Sequence, residues 1–121
     1  MKFRQLGNSE LNVSEIGLGT MSLSTDPNEA ARVIDAAFDA GIRFFDTADL
    51  YDGGRNEEVV GQALKEKRSD IVLATKVGNK MNPDGQSWVW APSKEHIING
   101  VKDSLHRLGI DYIDLYQLHG G

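Results

Sequence analysis

The sequence predicts an α/β protein: a short hairpin, then a parallel sheet covered by helices. Three observations carry this reading. Four short apolar runs are separated by three segments of helical period. The runs are near-continuously apolar, as strands buried on both faces are. Turn and cap residues mark each change of period.

Taken in order, residues 2–13 alternate short polar and apolar groups around Gly7-Asn8-Ser9-Glu10, which predicts the hairpin. Residues 16–20 form the first strand, and Gly17 and Gly19 imply a close approach to its backbone. Asp26-Pro27-Asn28-Glu29 starts a helix: Asp26 as N-cap, Pro27 at the first helical position, Glu29 closing a capping box. Val33, Ile34, Ala37 and Phe38 form its buried stripe, and Gly41 ends it. Residues 42–47 are the next strand, and Gly53-Gly54 marks a loop. Asn56 caps a second helix that buries Val59, Val60, Ala63 and Leu64. Ser69-Asp70 turns into a strand at 71–77, and a polar loop covers 78–92. Ser93 caps a third helix with Ile97, Val101, Leu105 and Leu108 on its stripe, and Gly109 ends it. Residues 112–118 are the fourth strand. The order is hairpin, then β-α-β-α-β-α-β.

Composition narrows the function classes. The chain has 121 residues and a formal net charge of -5, with no basic cluster, which argues against nucleic acid or an anionic membrane as partner. It has no cysteine, which excludes thiolate chemistry and makes the cytoplasm the expected compartment. The N-terminus has no apolar h-region, and no apolar run approaches the ~20 residues of a membrane span. His96, His106 and His119 show no short ligand spacing, so no metal site is expected.

The polar residues carry the chemistry. Asp46 and Lys76 fall at the C-terminal ends of the second and third strands, His119 at the end of the fourth, and Tyr51 just after the second. Chemistry in parallel α/β folds sits at these ends. Taken singly, Asp46 reads as a turn cap, Tyr51 as packing, and Lys76 as a side chain reaching solvent. Their convergence on one rim argues for a site. An ammonium beside a phenol favours the phenolate, which suits proton exchange with an alcohol oxygen. Asp46 would keep a buried lysine charged. A histidine beside the phenol can orient a carbonyl. None of these groups supplies a hydride, so redox chemistry here needs a bound cofactor.

These residues resemble the aldo-keto reductases. The stretch Gly41-Ile42-Arg43-Phe44-Phe45-Asp46-Thr47-Ala48, with Tyr51 and Asn56-Glu57-Glu58-Val59-Val60-Gly61, is similar to that family's first signature. Leu73-Ala74-Thr75-Lys76-Val77 resembles its lysine strand, and Asp111 to Tyr116 with Gln117-Leu118-His119 resembles the strand leading to its histidine. The likeness runs through the whole chain and is greatest to the bacterial general-reductase and potassium-channel β-subunit branch. It implies that residues 1–121 are the N-terminal half of a (β/α)8 TIM barrel: the hairpin, four barrel strands and three helices.

The implied activity is NAD(P)H-dependent reduction of a small-molecule aldehyde or ketone. Tyr51 is then the general acid, Lys76 its activator, Asp46 the partner of Lys76, and His119 the residue that orients the carbonyl. Gly19, Thr20, Met21 and Asp46 lie near the nicotinamide ribose. Trp88 and Trp90 either line the substrate mouth or pack on the barrel rim. NADPH is the implied cofactor, with NADH the alternative. Half a barrel exposes two sheet edges, so a homo-oligomer or a complementing half-barrel is the expected partner. Two other readings stand beside this one: a catalytically silent fragment, and a cofactor-sensing scaffold.

Overall fold

The computed structural model describes residues 1–120. Strands β1 (Phe3–Gln5) and β2 (Asn12–Ser14) pair antiparallel as the predicted hairpin. Ser14 ties it to the body: its Oγ donates to Ile16 O at 2.7 Å and accepts from the Arg43 N–H at 2.9 Å. The parallel strands are β3 (Leu18–Gly19), β4 (Phe44–Asp46) and β5 (Val72–Val77). Beyond β5 a second hairpin intervenes, β6 (Asn79–Met81) with β7 (Trp88–Trp90), before β8 (Leu115–Leu118). The main sheet runs β3-β4-β5-β8, each strand beside its predecessor in the chain. Helices α1 (Pro27–Asp39), α2 (Arg55–Leu64) and α3 (Lys94–Leu108) make the connections. Among the described residues, no helix is long and apolar enough to cross a membrane.

Side chains alternate across the sheet. Phe45 and Leu73 join Ile34, Val60, Leu64, Ile71 and Leu108 in one core cluster between sheet and helices. Burying each such side chain stabilises the fold by about 1.5–3 kcal/mol. The other face, carrying Asp46 and Lys76, belongs to the site.

Several expectations are corrected in detail. Asp26 caps α1 through a 2.9 Å bond from the Asn28 N–H, but the capping box does not form: the Asp26 N–H donates to Ser24 Oγ at 3.1 Å, which replaces Glu29. Val33 is 48% exposed, whereas Ala30 and Ile34 take the buried positions. Gly54, not Asn56, occupies the N-cap of α2, because Asn56 is drawn into the interior. The fourth strand starts three residues late. The Asp114 N–H reaches Leu73 O at 3.1 Å, but its carboxylate takes the Leu73 N–H at 2.8 Å, and Tyr112 stacks on the Arg68 guanidinium, so the regular ladder begins only at Leu115.

The polar loop at 78–92 is in fact the β6–β7 hairpin. Its turn is built by Asp84, which accepts the Gln86 N–H at 2.9 Å and the Ser87 N–H at 3.1 Å. These bonds hold the exposed Asp84 carboxyl below the usual carboxylate range. Such Asx bonding favours a tight turn, and Trp88-Val89-Trp90 is a strongly β-forming triplet.

Helices α2 and α3 cross at Gly61. A Cβ there would overlap the Leu108 carbonyl, which is backbone and cannot swing aside. We expect Gly61→Ala to destabilise the fold by about 2–3 kcal/mol, read as a lowered melting midpoint. An unchanged midpoint would show that the two helices can separate at no cost.

Candidate active site

The register builds a row across the inner face of the sheet. Gly19 pairs with Asp46, and Lys76 pairs with Gln117. Lys76 Nζ donates to Asp46 Oδ2 at 2.7 Å and to Thr47 O at 2.8 Å, and lies 3.5 Å from Tyr51 Oη. Only 15% of the Lys76 side chain is exposed, so its charge depends on this short, charge-assisted pair. The Tyr51 and His119 rings meet edge to face, with centroids 6.1 Å apart. Gln117 Nε2 donates to the second Asp46 oxygen at 3.1 Å. The structure thus brings together all four residues read from the sequence as the site.

Each is placed by its backbone. His119 continues β8, its N–H donating to Val77 O at 2.7 Å. Past β4, the Thr47 N–H reaches Ala74 O at 2.9 Å and the Asp49 N–H reaches Lys76 O at 3.2 Å. A tight 3-10 turn, Tyr51–Gly54, then reverses the chain. Asp52 (φ 51°), Gly53 (φ 62°) and Gly54 (φ 97°) are consecutive left-handed residues in it. The chain therefore enters α2 directly behind Tyr51.

Two buried networks brace this turn. Asn56 Nδ2 donates to Thr20 O at 2.7 Å, and Asn56 Oδ1 accepts from the hydroxyls of Thr20 at 3.1 Å and Thr47 at 2.5 Å. It stitches α2 to the ends of β3 and β4. Glu57, fully buried, accepts from Thr75 Oγ1 at 2.8 Å and from Arg107 Nε at 2.7 Å. It joins β5, α2 and α3. Sequence reasoning missed Asn56, Glu57 and Gln117 as site supports. Asn56 reads locally as a cap, Glu57 as a first-turn acid, and Gln117 as an ordinary strand residue.

The cofactor-side residues divide. Met21 is 65% exposed, and a Cβ on Gly19 would meet nothing within 4 Å, so the close approach predicted there is not to protein. At Gly17 the close approach is real, to Phe44. Thr20 is buried and its single hydroxyl proton is shared between Asn56 Oδ1 and Asp46 O, the latter at 2.8 Å, so it shapes the strand end and offers no polar group to the rim. Trp88 lines a groove of about 280 Å³ with Asp49, Gly53, Asn79 and His96. Trp90 lies near the end of the row: its Nε1 is 3.4 Å from where a Cβ on Gly120, the residue after His119, would sit. His96 of α3 bonds through Nε2 to Asn79 O at 3.0 Å, just past the end of β5. A groove of about 570 Å³ beside Arg68 and His106 includes none of the row residues in its lining.

Electrostatics set the protonation states. Burial, helped by Lys76 and opposed by Asp46, lowers the His119 imidazole from its ordinary value, so it is neutral at neutral pH. A neutral imidazole offers one donor and one acceptor. Its Nδ1 is buried without a hydrogen-bond partner. Burial, reinforced by Glu57 and opposed by Arg107 and His96, pushes the Asp49 carboxyl up to about 6. Its Oδ1 likewise has no partner.

A parallel sheet with its helices on one face and an Asp-Lys-Tyr-His row at the C-terminal strand ends defines a (β/α)8-barrel type of site. Residues 15–120 match the model of the Aldo/keto reductase family, and the chain belongs to that family. It is 56% identical to the uncharacterized oxidoreductase YqkF of Bacillus subtilis over all of this chain and 40% of that protein. It is 38% identical to a probable voltage-gated potassium channel subunit beta of Oryza sativa, over 98% of this chain and 37% of that one. Among solved structures, the holo form of aldo-keto reductase AKR11C1 from Bacillus halodurans superposes with a TM-score of 0.96 at 59% identity, over 100% of this chain and 41% of that one. The chain spans about two fifths of the length of the relatives it matches, and its sheet is the N-terminal part of their (β/α)8 barrel.

Asp49 provides a test of the local electrostatics. A carboxyl raised on folding favours the folded state only while protonated. Its contribution is full below about pH 4, drains between about pH 4 and 6, and is gone above. Asp49→Asn should therefore raise stability near pH 7.5 and leave it unchanged near pH 4. With the carboxyl only part-buried, the gain is on the order of 1 kcal/mol. Thermal melts at the two pH values measure it, and an equal effect at both would reject the assignment.

Proposed function

We propose that this chain carries the proton-handling row of an NAD(P)H-dependent reductase of aldehydes and ketones. The observation that supports it best is Lys76 Nζ, shared between Asp46 at 2.7 Å and Tyr51 at 3.5 Å, with His119 edge-on to the same phenol. Tyr51 Oη delivers a proton to the carbonyl oxygen. Lys76, held charged by Asp46, eases its departure. Neutral His119 orients the carbonyl by a hydrogen bond. When bound, the nicotinamide supplies the hydride that goes to the carbonyl carbon, so the carbonyl becomes an alcohol.

The residues present fit such a group. Gly19 leaves open space beside Asp46, Met21 is exposed next to it, and the buried Nδ1 of His119 lacks a partner. Gly19, Met21 and Asp46 would hold the nicotinamide side, and NADPH is the form proposed. Among the described residues, edge strands β3 and β8 each pair on one side only. We therefore propose that the site is completed by further barrel strands, and that the protein works in the cytoplasm.

A second reading, a cofactor-sensing scaffold, is favoured by the likeness to the potassium channel subunit beta. NADPH binding, followed by quenching of Trp88 and Trp90, is common to both, and NADPH oxidation on adding an aldehyde separates them. The reductase reading expects saturable quenching and NADPH oxidation on adding an aldehyde. Tyr51→Phe should leave quenching intact and lower kcat by about 10²–10⁴-fold. Quenching without oxidation in the unaltered chain would favour the scaffold, and oxidation that survives Tyr51→Phe would remove Tyr51 from its role.

A further inference from the structure

Asp46 has two carboxylate oxygens, and both are engaged. Oδ2 accepts from Lys76 Nζ at 2.7 Å, and Oδ1 accepts from Gln117 Nε2 at 3.1 Å. Gln117 is the register partner of Lys76 across β5 and β8, so strand pairing places both side chains on one face. An inward barrel position is ordinarily filled by a bulky apolar side chain. An amide there costs free energy unless it is hydrogen-bonded, and its bond is to the carboxylate that holds Lys76. The contact spans from β8 to β4, across the intervening β5. The neutral donor tempers the negative charge that Asp46 exerts on the neighbouring Tyr51 and His119.

We propose that Gln117 is a positioning residue of this site: by donating to Asp46 Oδ1 it limits how far the carboxylate offsets the Lys76 ammonium at Tyr51. This rests on the reading of Lys76 and Tyr51 given above. Gln117 touches neither the phenol nor the reacting atoms. Its effect passes through Asp46 and Lys76.

The test is a pH titration of Tyr51 in the full chain labelled with ¹³Cζ-tyrosine, the Tyr51 signal being the one lost in Tyr51→Phe. Gln117→Leu keeps the volume and removes the donor. Its Tyr51 ionisation midpoint should rise by about half a pH unit. Gln117→Met, likewise neutral and without the donor, should raise the midpoint alike. It serves as the second variant if the leucine form fails to fold, as judged by circular dichroism. Lys76→Met sets the scale, since it removes the ammonium. If Lys76→Met moves the midpoint and neither Gln117 variant does, the positioning role is overturned while the reading of the row stands. If Lys76→Met also leaves it in place, the reading of the row fails and takes this proposal with it.

Discussion

The site depends on strand parity. Side chains alternate along a strand with a period of two, and a one-residue slip sends every one to the other face. Here Phe45 and Leu73 face the helices, while Asp46 and Lys76 face inward. Slipping β4 by one residue would bury Asp46 in the apolar cluster and turn Phe45 into the row. The hydrophobic cluster that holds the sheet together and the polar row proposed to do the chemistry are thus two faces of one register. Neither can shift without destroying the other.

The register is itself pinned at both ends of the strands. At the lower end, Arg68 pairs with Asp114 at 2.8 Å, and Asp114 accepts the Leu73 N–H at 2.8 Å. At the upper end, Glu57 gathers Thr75 and Arg107, and Asn56 gathers Thr20 and Thr47. Buried charges of this kind contribute little net stability against an apolar alternative, and removing one partner is costly. Their effect is to reject wrong registers, because any slip leaves a charge or an amide buried without its partner.

The sequence made much of this legible, for a physical reason. Asp46, Lys76 and His119 stand at the ends of apolar runs, and a strand end is a local signal. Ser93 and Gly109 read correctly as the limits of α3 for the same reason. What was illegible was set by distant neighbours. Asn56 looks like a cap until Thr20, thirty-six residues earlier, draws its amide inward. Val33 fits the helical stripe as well as Ala30 does, and only the angle at which α1 lies on the sheet separates them. Hairpin β6–β7 hid behind its polar turn, although Asp84 and the Trp88-Val89-Trp90 triplet were local clues. Gln117 carried no signal of its own, since its meaning comes from a carboxylate two strands away.

The strand order has a consequence for how such a site is inherited. Each strand of the main sheet sits beside its predecessor in the chain, so the row from Asp46 to His119 is wired only through consecutive neighbours. It is a contiguous cassette of sequence. A recombination event that exchanges whatever lies beyond β8 leaves every contact inside the row intact. Descendants can therefore acquire new pockets around an unchanged Asp-Lys-Tyr-His row.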